Sequence, residues 1–130
     1  GTSLLPLALP ALTPGSPMND DDRMQQIDTL LSHVWLVRTF LKHSEEAEED
    51  DELCEIHRAL YDFMLALGGP LANNDSAAYL KQAAKKISRL RAASELFLQI
   101  QPEISSHTNF KMAAVSLSTA VRQVDELLAG

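Results

Sequence analysis

The chain has a single cysteine, a single tryptophan and few aromatic residues of any kind, 5% in all. With Cys54 alone no intramolecular disulfide can form, and a reducing, cytoplasmic setting is the expectation. Cations are scarce too: 11 Lys and Arg stand against 18 Asp and Glu, a formal charge of −7. That balance argues against a dedicated nucleic-acid binder, whose phosphate affinity rests on clustered Lys and Arg. No run reaches the ~18–20 apolar residues a bilayer crossing needs, so no membrane span is expected. The apolar opening "SLLPLALPAL" has no basic residue before it and is interrupted by proline, which makes it a poor secretory signal. A phosphate-cradling G-x-x-x-x-G-K-[ST] loop is missing, and "LGGP" (Leu67 to Pro70) reads as a helix stop.

What remains is rich in leucine and alanine, which favour helices over strands. At 130 residues the chain makes one domain, long enough to bury roughly 70% of its unfolded surface. The prolines, at 6, 10, 14, 17, 70 and 102, fall where helical periodicity is absent, and four long helical patterns run between them. The first carries Met24, Ile27, Leu30, Leu31, Val34, Val37 and Leu41 on one stripe, with Asn19 or Asp20 as N-cap. The second carries Leu53, Ile56, Leu60, Phe63, Met64 and Leu67 and is expected to stop at Gly68–Pro70. The third starts at a cap on Asp75 or Ser76, carries Leu80, Ala83, Ala84, Ile87, Leu90, Phe97 and Ile100, and is expected to end before Pro102. The fourth follows "SSHTN" with Phe110, Ala113, Ala114, Leu117, Val121, Val124 and Leu128. Short connections between such helices give an all-α fold, an antiparallel bundle of four helices, or five. Residues 1–18 are expected to form an extended, proline-rich segment packed on the bundle or on a neighbouring subunit, and residues 19–130 the bundle domain.

Several side-chain groupings invite a chemical reading. Cys54 and His57 share a helix face and could ligate a metal or form a thiolate pair, but zinc takes four ligands and no second pair stands at matching spacing. A diiron bundle needs Glu-x-x-His on two helices, and that motif is missing. The expectation is no metal site, with Cys54 a small buried thiol beside a boundary histidine. The acidic run "SEEAEEDDELCE" (Ser44 to Glu55) reads as a solvated connection and helix start, its acids favoured by the helix dipole. Lys81, Lys85 and Arg89, with Lys86 and Arg91 beside them, form a basic stripe that reads as a solvated face.

Three stretches together resemble the PduO-type ATP:cob(I)alamin adenosyltransferases. "IDTLLSHVWLVRTFL" (Ile27 to Leu41) resembles that family's "DELNSxxGLAR" helix, and "ELCEIHRALYDFMLALGGPLA" (Glu52 to Ala72) its "IQxDLFDLGAELA" helix. "AAVSLSTAVRQVDELL" (Ala113 to Leu128) is similar to its last long helix, "AALHxARTVCRRAERxV". "GTSLL" (Gly1 to Leu5) looks like part of the family's ATP-binding "GTTSLL" stretch. The resemblance implies a cobalamin adenosyltransferase-like bundle, a homotrimer, and ATP and cobalamin as the cofactors. The positions it marks for them are Gly1, Thr2, Ser3, Asp28, Phe97, Arg122 and Glu126. No catalytic residue can be named. The family's phosphate-binding arginines fall here on Thr119, Gln123, Val124 and Leu127, with Glu126 matched and Arg122 one place off. Losing two or more charge-assisted phosphate contacts, at roughly 1.5–3 kcal/mol each, weakens nucleotide binding by orders of magnitude. The expectation is therefore a degenerate, non-catalytic member that binds a ligand or partner. An active transferase using Arg122, Lys111 or the basic stripe, and an unrelated helical interaction module, stay open beside it.

Overall fold

The computed structural model describes residues 18–130; the expectation of an extended N-terminal segment and the positions Gly1, Thr2 and Ser3 lie outside them. Five helices follow: α1 (Asp20–Lys42), α2 (Glu45–Glu49), α3 (Asp51–Ala72), α4 (Ser76–Ile104) and α5 (Thr108–Ala129), and no strand occurs among the described residues. Their starts are written locally. Asn19 Oδ1 accepts from the Asp22 amide at 2.8 Å, Ser44 Oγ from Ala47 at 3.2 Å, Asp50 Oδ1 from Leu53 at 2.9 Å and Asp75 Oδ1 from Ala78 at 3.1 Å. Asp20, Asp21 and Asp22 in the first turn of α1 complement the positive end of its dipole. The acidic run folds as α2 and the start of α3, with Asp50 ending one helix and capping the next.

Both expected stops are overrun. Helix α3 continues through Pro70 to Ala72, and α4 through Pro102 to Ile104. A proline removes only its own amide, and the residues after it can still bond backwards. Asn73 reaches the Gly69 carbonyl at 3.1 Å, and Ser105 that of Gln101 at 3.0 Å. The true stop of α3 is Asn74, in the left-handed region at φ 52. Around it Asp75 bonds back to Pro70 O at 2.9 Å and Asn74 to Leu71 O at 3.0 Å, the paired contacts of a Schellman turn. Gly68 and Gly69 are thus ordinary helical positions, and a Cβ at either meets nothing within 4 Å. The double variant Gly68→Ala, Gly69→Ala is expected to raise stability by about 1–2 kcal/mol, read from denaturant midpoints.

The four long helices stand in a ring in the order α1, α3, α4, α5, with α5 returning beside α1 and α2 covering the junction of α1 and α3. One core fills the centre. Ile27, Val34, Leu41, Leu53, Leu60, Tyr79, Leu90, Phe97, Leu117 and Val124 have no exposed surface, each contributing on the order of 1.5–3 kcal/mol of burial for the aliphatic and Phe side chains. Most of the expected stripes point inward; Leu30 and Leu128 are only half-buried at the edge, and three further adjustments occur. Tyr79 is buried where Leu80 was expected, Ala84 is exposed beside buried Ala83, and Met64 is half-buried at the edge because Leu60, Phe63 and Leu67 occupy the inner face of α3. The small residues Ala113, Ala114 and Ala120 of α5 are buried in the chain's own core. No described helix is long and apolar enough to cross a membrane.

Arg23 closes the ring. Its Nη2 donates to Leu127 O at 2.7 Å and Leu128 O at 3.1 Å, and its Nε to Leu127 O at 3.0 Å. These carbonyls end α5 and have no helical donor, so a cation from the start of α1 satisfies them and the negative dipole end together.

Candidate functional site

Among the described residues, the positions marked by the resemblance, Asp28, Phe97, Arg122 and Glu126, border no common recess. Phe97 is wholly inside the core, Arg122 is exposed on α5, and Asp28 lies half-buried beside the Tyr79 hydroxyl of α4. That hydroxyl is buried and has no partner of hydrogen-bond geometry. Burial first, then the charge of Asp28, pushes its pKa well above the ordinary tyrosine value, so it stays a neutral phenol.

Glu126 does border a recess, about 520 Å³ between α1 and α5, together with Gln26, Thr29, Leu30, Gln123 and Leu127. Asp28 is not in its wall. Thr119 and Gln123, where the family carries arginine, border an adjoining recess of about 200 Å³ with Leu30 and His33. Both positions thus share a recess with Leu30 and His33, and Asp28 lines neither recess. Val124, a third such position, is fully buried and cannot carry a charge toward a ligand. Further along the seam a third recess of about 320 Å³ lies among Leu36, Val37, Phe40, Met112 and Ala113. Leu36 (65% exposed), Met112 (57%) and Val115 (52%) stand on the same two helices. From Gln26 to Phe40 this furrow follows α1 for about 21 Å at 1.5 Å per residue. Glu126 and His33 are the only titratable residues in its three walls.

The α1–α3 face has a different character. The Arg38 guanidinium carbon lies 4.9 Å from the Trp35 ring centre and 4.6 Å from that of Tyr61. The two ring centres are 6.5 Å apart and the planes tilted by 41°, so the cation sits over the corner formed by two neighbouring rings. Arg38 Nε is buried without a partner. On α3, His57 is held below the ordinary histidine value of 6.5, by burial first and then by the charges of Arg38, Arg58 and Lys42. The folded state resists a proton that the unfolded chain accepts, so stability is lost as pH falls through and below that value. Between about pH 7.5 and about pH 5, the denaturant midpoint of the native chain is expected to drop more than that of His57→Gln. Cys54, one turn earlier, donates Sγ–H to the Ala47 carbonyl at 3.1 Å and so ties α3 to α2 rather than pairing with His57.

On the far side, Arg91 of the basic stripe binds Asp125 of α5 in a fork, Nε to Oδ2 at 2.7 Å and Nη2 to Oδ1 at 3.2 Å. Among the described residues no three His, Cys, Asp or Glu side chains gather in a way that could hold a metal ion. Sequence reasoning missed the Trp35–Arg38–Tyr61 group. A cation three residues after the only tryptophan on a helical pattern was the available signal; Tyr61 joins only once α3 is known to lie beside α1. Compared with family models, curated proteins and solved structures, the chain matches none.

Proposed function

We propose that this chain is a non-catalytic helical bundle that works by binding, and that the α1–α5 furrow is its docking face. The observation that carries this reading is the alignment of three recesses along one seam, beside the exposed side chains of Leu36, Met112 and Val115. The resemblance to adenosyltransferases adds an expected assembly, a closed homo-oligomer with the trimer first, so a second copy is the first occupant to test. The single cysteine suits a reducing, cytoplasmic setting.

The furrow's chemistry supports binding over transfer of an adenosyl group. A triphosphate needs converging cations or amides, and the one fixed charge here is the carboxylate of Glu126, which repels it. No ATP-dependent adenosylation of cob(I)alamin is expected, nor ATP affinity tighter than about millimolar. The deciding experiment is light scattering at tens of micromolar protein, with ATP and a cobalamin titrated alongside. An oligomeric mass that Met112→Glu with Val115→Glu reduces to the monomer supports the reading. A monomeric mass for the native chain, or turnover under reducing conditions, overturns it.

A further inference from the structure

The α1–α3 face lies apart from the furrow and carries a second site. Its two helices run antiparallel and grade in character along their length. Trp35, Tyr61 and Leu65, respectively 42%, 39% and 63% exposed, form an apolar end. Lys42, His57 and Arg58 form a basic end, with Arg38 between the two. From Trp35 to Lys42 is about 10 Å of helix. The acidic helix α2 covers the nearby α1–α3 junction, yet its carboxylates pair with none of these cations. Arg38, Lys42 and Arg58 make no ion pair among the described residues, and residues 1–17 contain neither Asp nor Glu to provide one.

We propose that this face binds an acidic segment of a partner protein, with Arg38 gripping a carboxylate and Trp35, Tyr61 and Leu65 receiving an adjacent apolar side chain. The guanidinium is already oriented by two ring faces, so little side-chain freedom is lost when it meets an anion. Its Nε is enclosed, which leaves the terminal nitrogens to donate. Trp, Tyr and Arg are also the residues that most often dominate protein interfaces. A peptide fits this face better than a bare polyanion, because the apolar surface of Trp35, Tyr61 and Leu65 beside the cations is covered only by a ligand that also carries apolar side chains.

Trp35 is the only tryptophan, so its fluorescence reports directly on the site. The probe is an acetylated peptide of alternating Glu and Leu, titrated into the full chain. The comparison arms are the same peptide with Gln for Glu, inorganic phosphate, and phosphatidylserine–phosphatidylcholine vesicles. The expected result is a saturable change in Trp35 emission with Kd of about 10–100 µM. Affinity should fall several-fold between about 50 and about 300 mM salt. The Gln peptide and Arg38→Gln should each weaken binding at least about tenfold, a loss of one charge-assisted contact. Lys42→Glu with Arg58→Glu changes two exposed positions and leaves the core intact, so it tests the basic end even where Arg38→Gln perturbs folding. Circular dichroism confirms that each variant is helical. The proposal is overturned by no response to the acidic peptide at about millimolar concentration. It is equally overturned by undiminished binding of the Gln peptide, by unchanged affinity in the folded double variant, or by phosphate or vesicles matching the acidic peptide. Because the furrow variants Met112→Glu and Val115→Glu lie on α5, loss of the assembly and loss of this site are read separately.

Discussion

Phe97→Ala is expected to cost about 3–5 kcal/mol and to lower the melting temperature by more than about 10 °C. The ring is fully enclosed at the middle of the bundle, on the helix that packs against both α3 and α5. Truncation removes its transfer free energy and leaves a void that helices fixed on every side can close only in part. The result also separates two roles for this position. A ring bordering an open cofactor pocket can be cut back with a loss of about 1 kcal/mol or less, because solvent fills the space. Urea unfolding followed by circular dichroism distinguishes these outcomes, and an unchanged slope against denaturant confirms that the compactness of the end states is unaltered.

The second large effect is expected at Arg23. Removing its guanidinium leaves the Leu127 and Leu128 carbonyls without their donor and deletes a cation from the negative end of α5. Hydrogen bonds to a charged group contribute about 1.5–3 kcal/mol, so Arg23→Ala should cost about 2–3 kcal/mol, with water taking up part of the loss. Arg23→Lys should recover less than half, since one ammonium cannot reproduce the planar fork. The Asp20 contact, at 3.8 Å and exposed, adds little. Hydrogen exchange at the last turn of α5 checks the mechanism: it should quicken in Arg23→Ala while amides of α3 keep their relative protection. Equal protection of that turn in both proteins would mean that the clamp does not hold it.

The bundle was legible because its signals are local. Leu53, Ile56, Leu60, Phe63 and Leu67 recur with helical period, and Asn19 and Asp75 are short polar side chains suited to catching an orphan amide. What failed also had a physical cause. Pro70 and Pro102 look like stops, but near a helix end the amide each one lacks is the only bond lost, and the turn completes around it. Tyr79 and Leu80 differ by one position and so by about 100° around the helix, too fine a distinction when both are apolar. The candidate sites were harder to read because they are properties of helix pairs. The furrow exists only where α1 meets α5, and the contact of Arg38 with both rings only where α1 meets α3. Net charge was no guide to this face either, since a total of −7 conceals three cations that act together on His57.

The Arg23 clamp joins residues more than a hundred positions apart, and so makes the bundle topologically close to a closed loop. A loop can be opened elsewhere. If a short glycine-rich bridge ties Gly130 to Asn19, new termini can be cut at the exposed Asn73–Asn74 turn, where the left-handed residue and its Schellman contacts are the only local structure sacrificed. In such a circular permutant α1 follows α5 directly, and the pairing most distant along the native chain becomes a hairpin. Refolding limited by the search for that long-range contact should then accelerate, because far less loop-closure entropy opposes it.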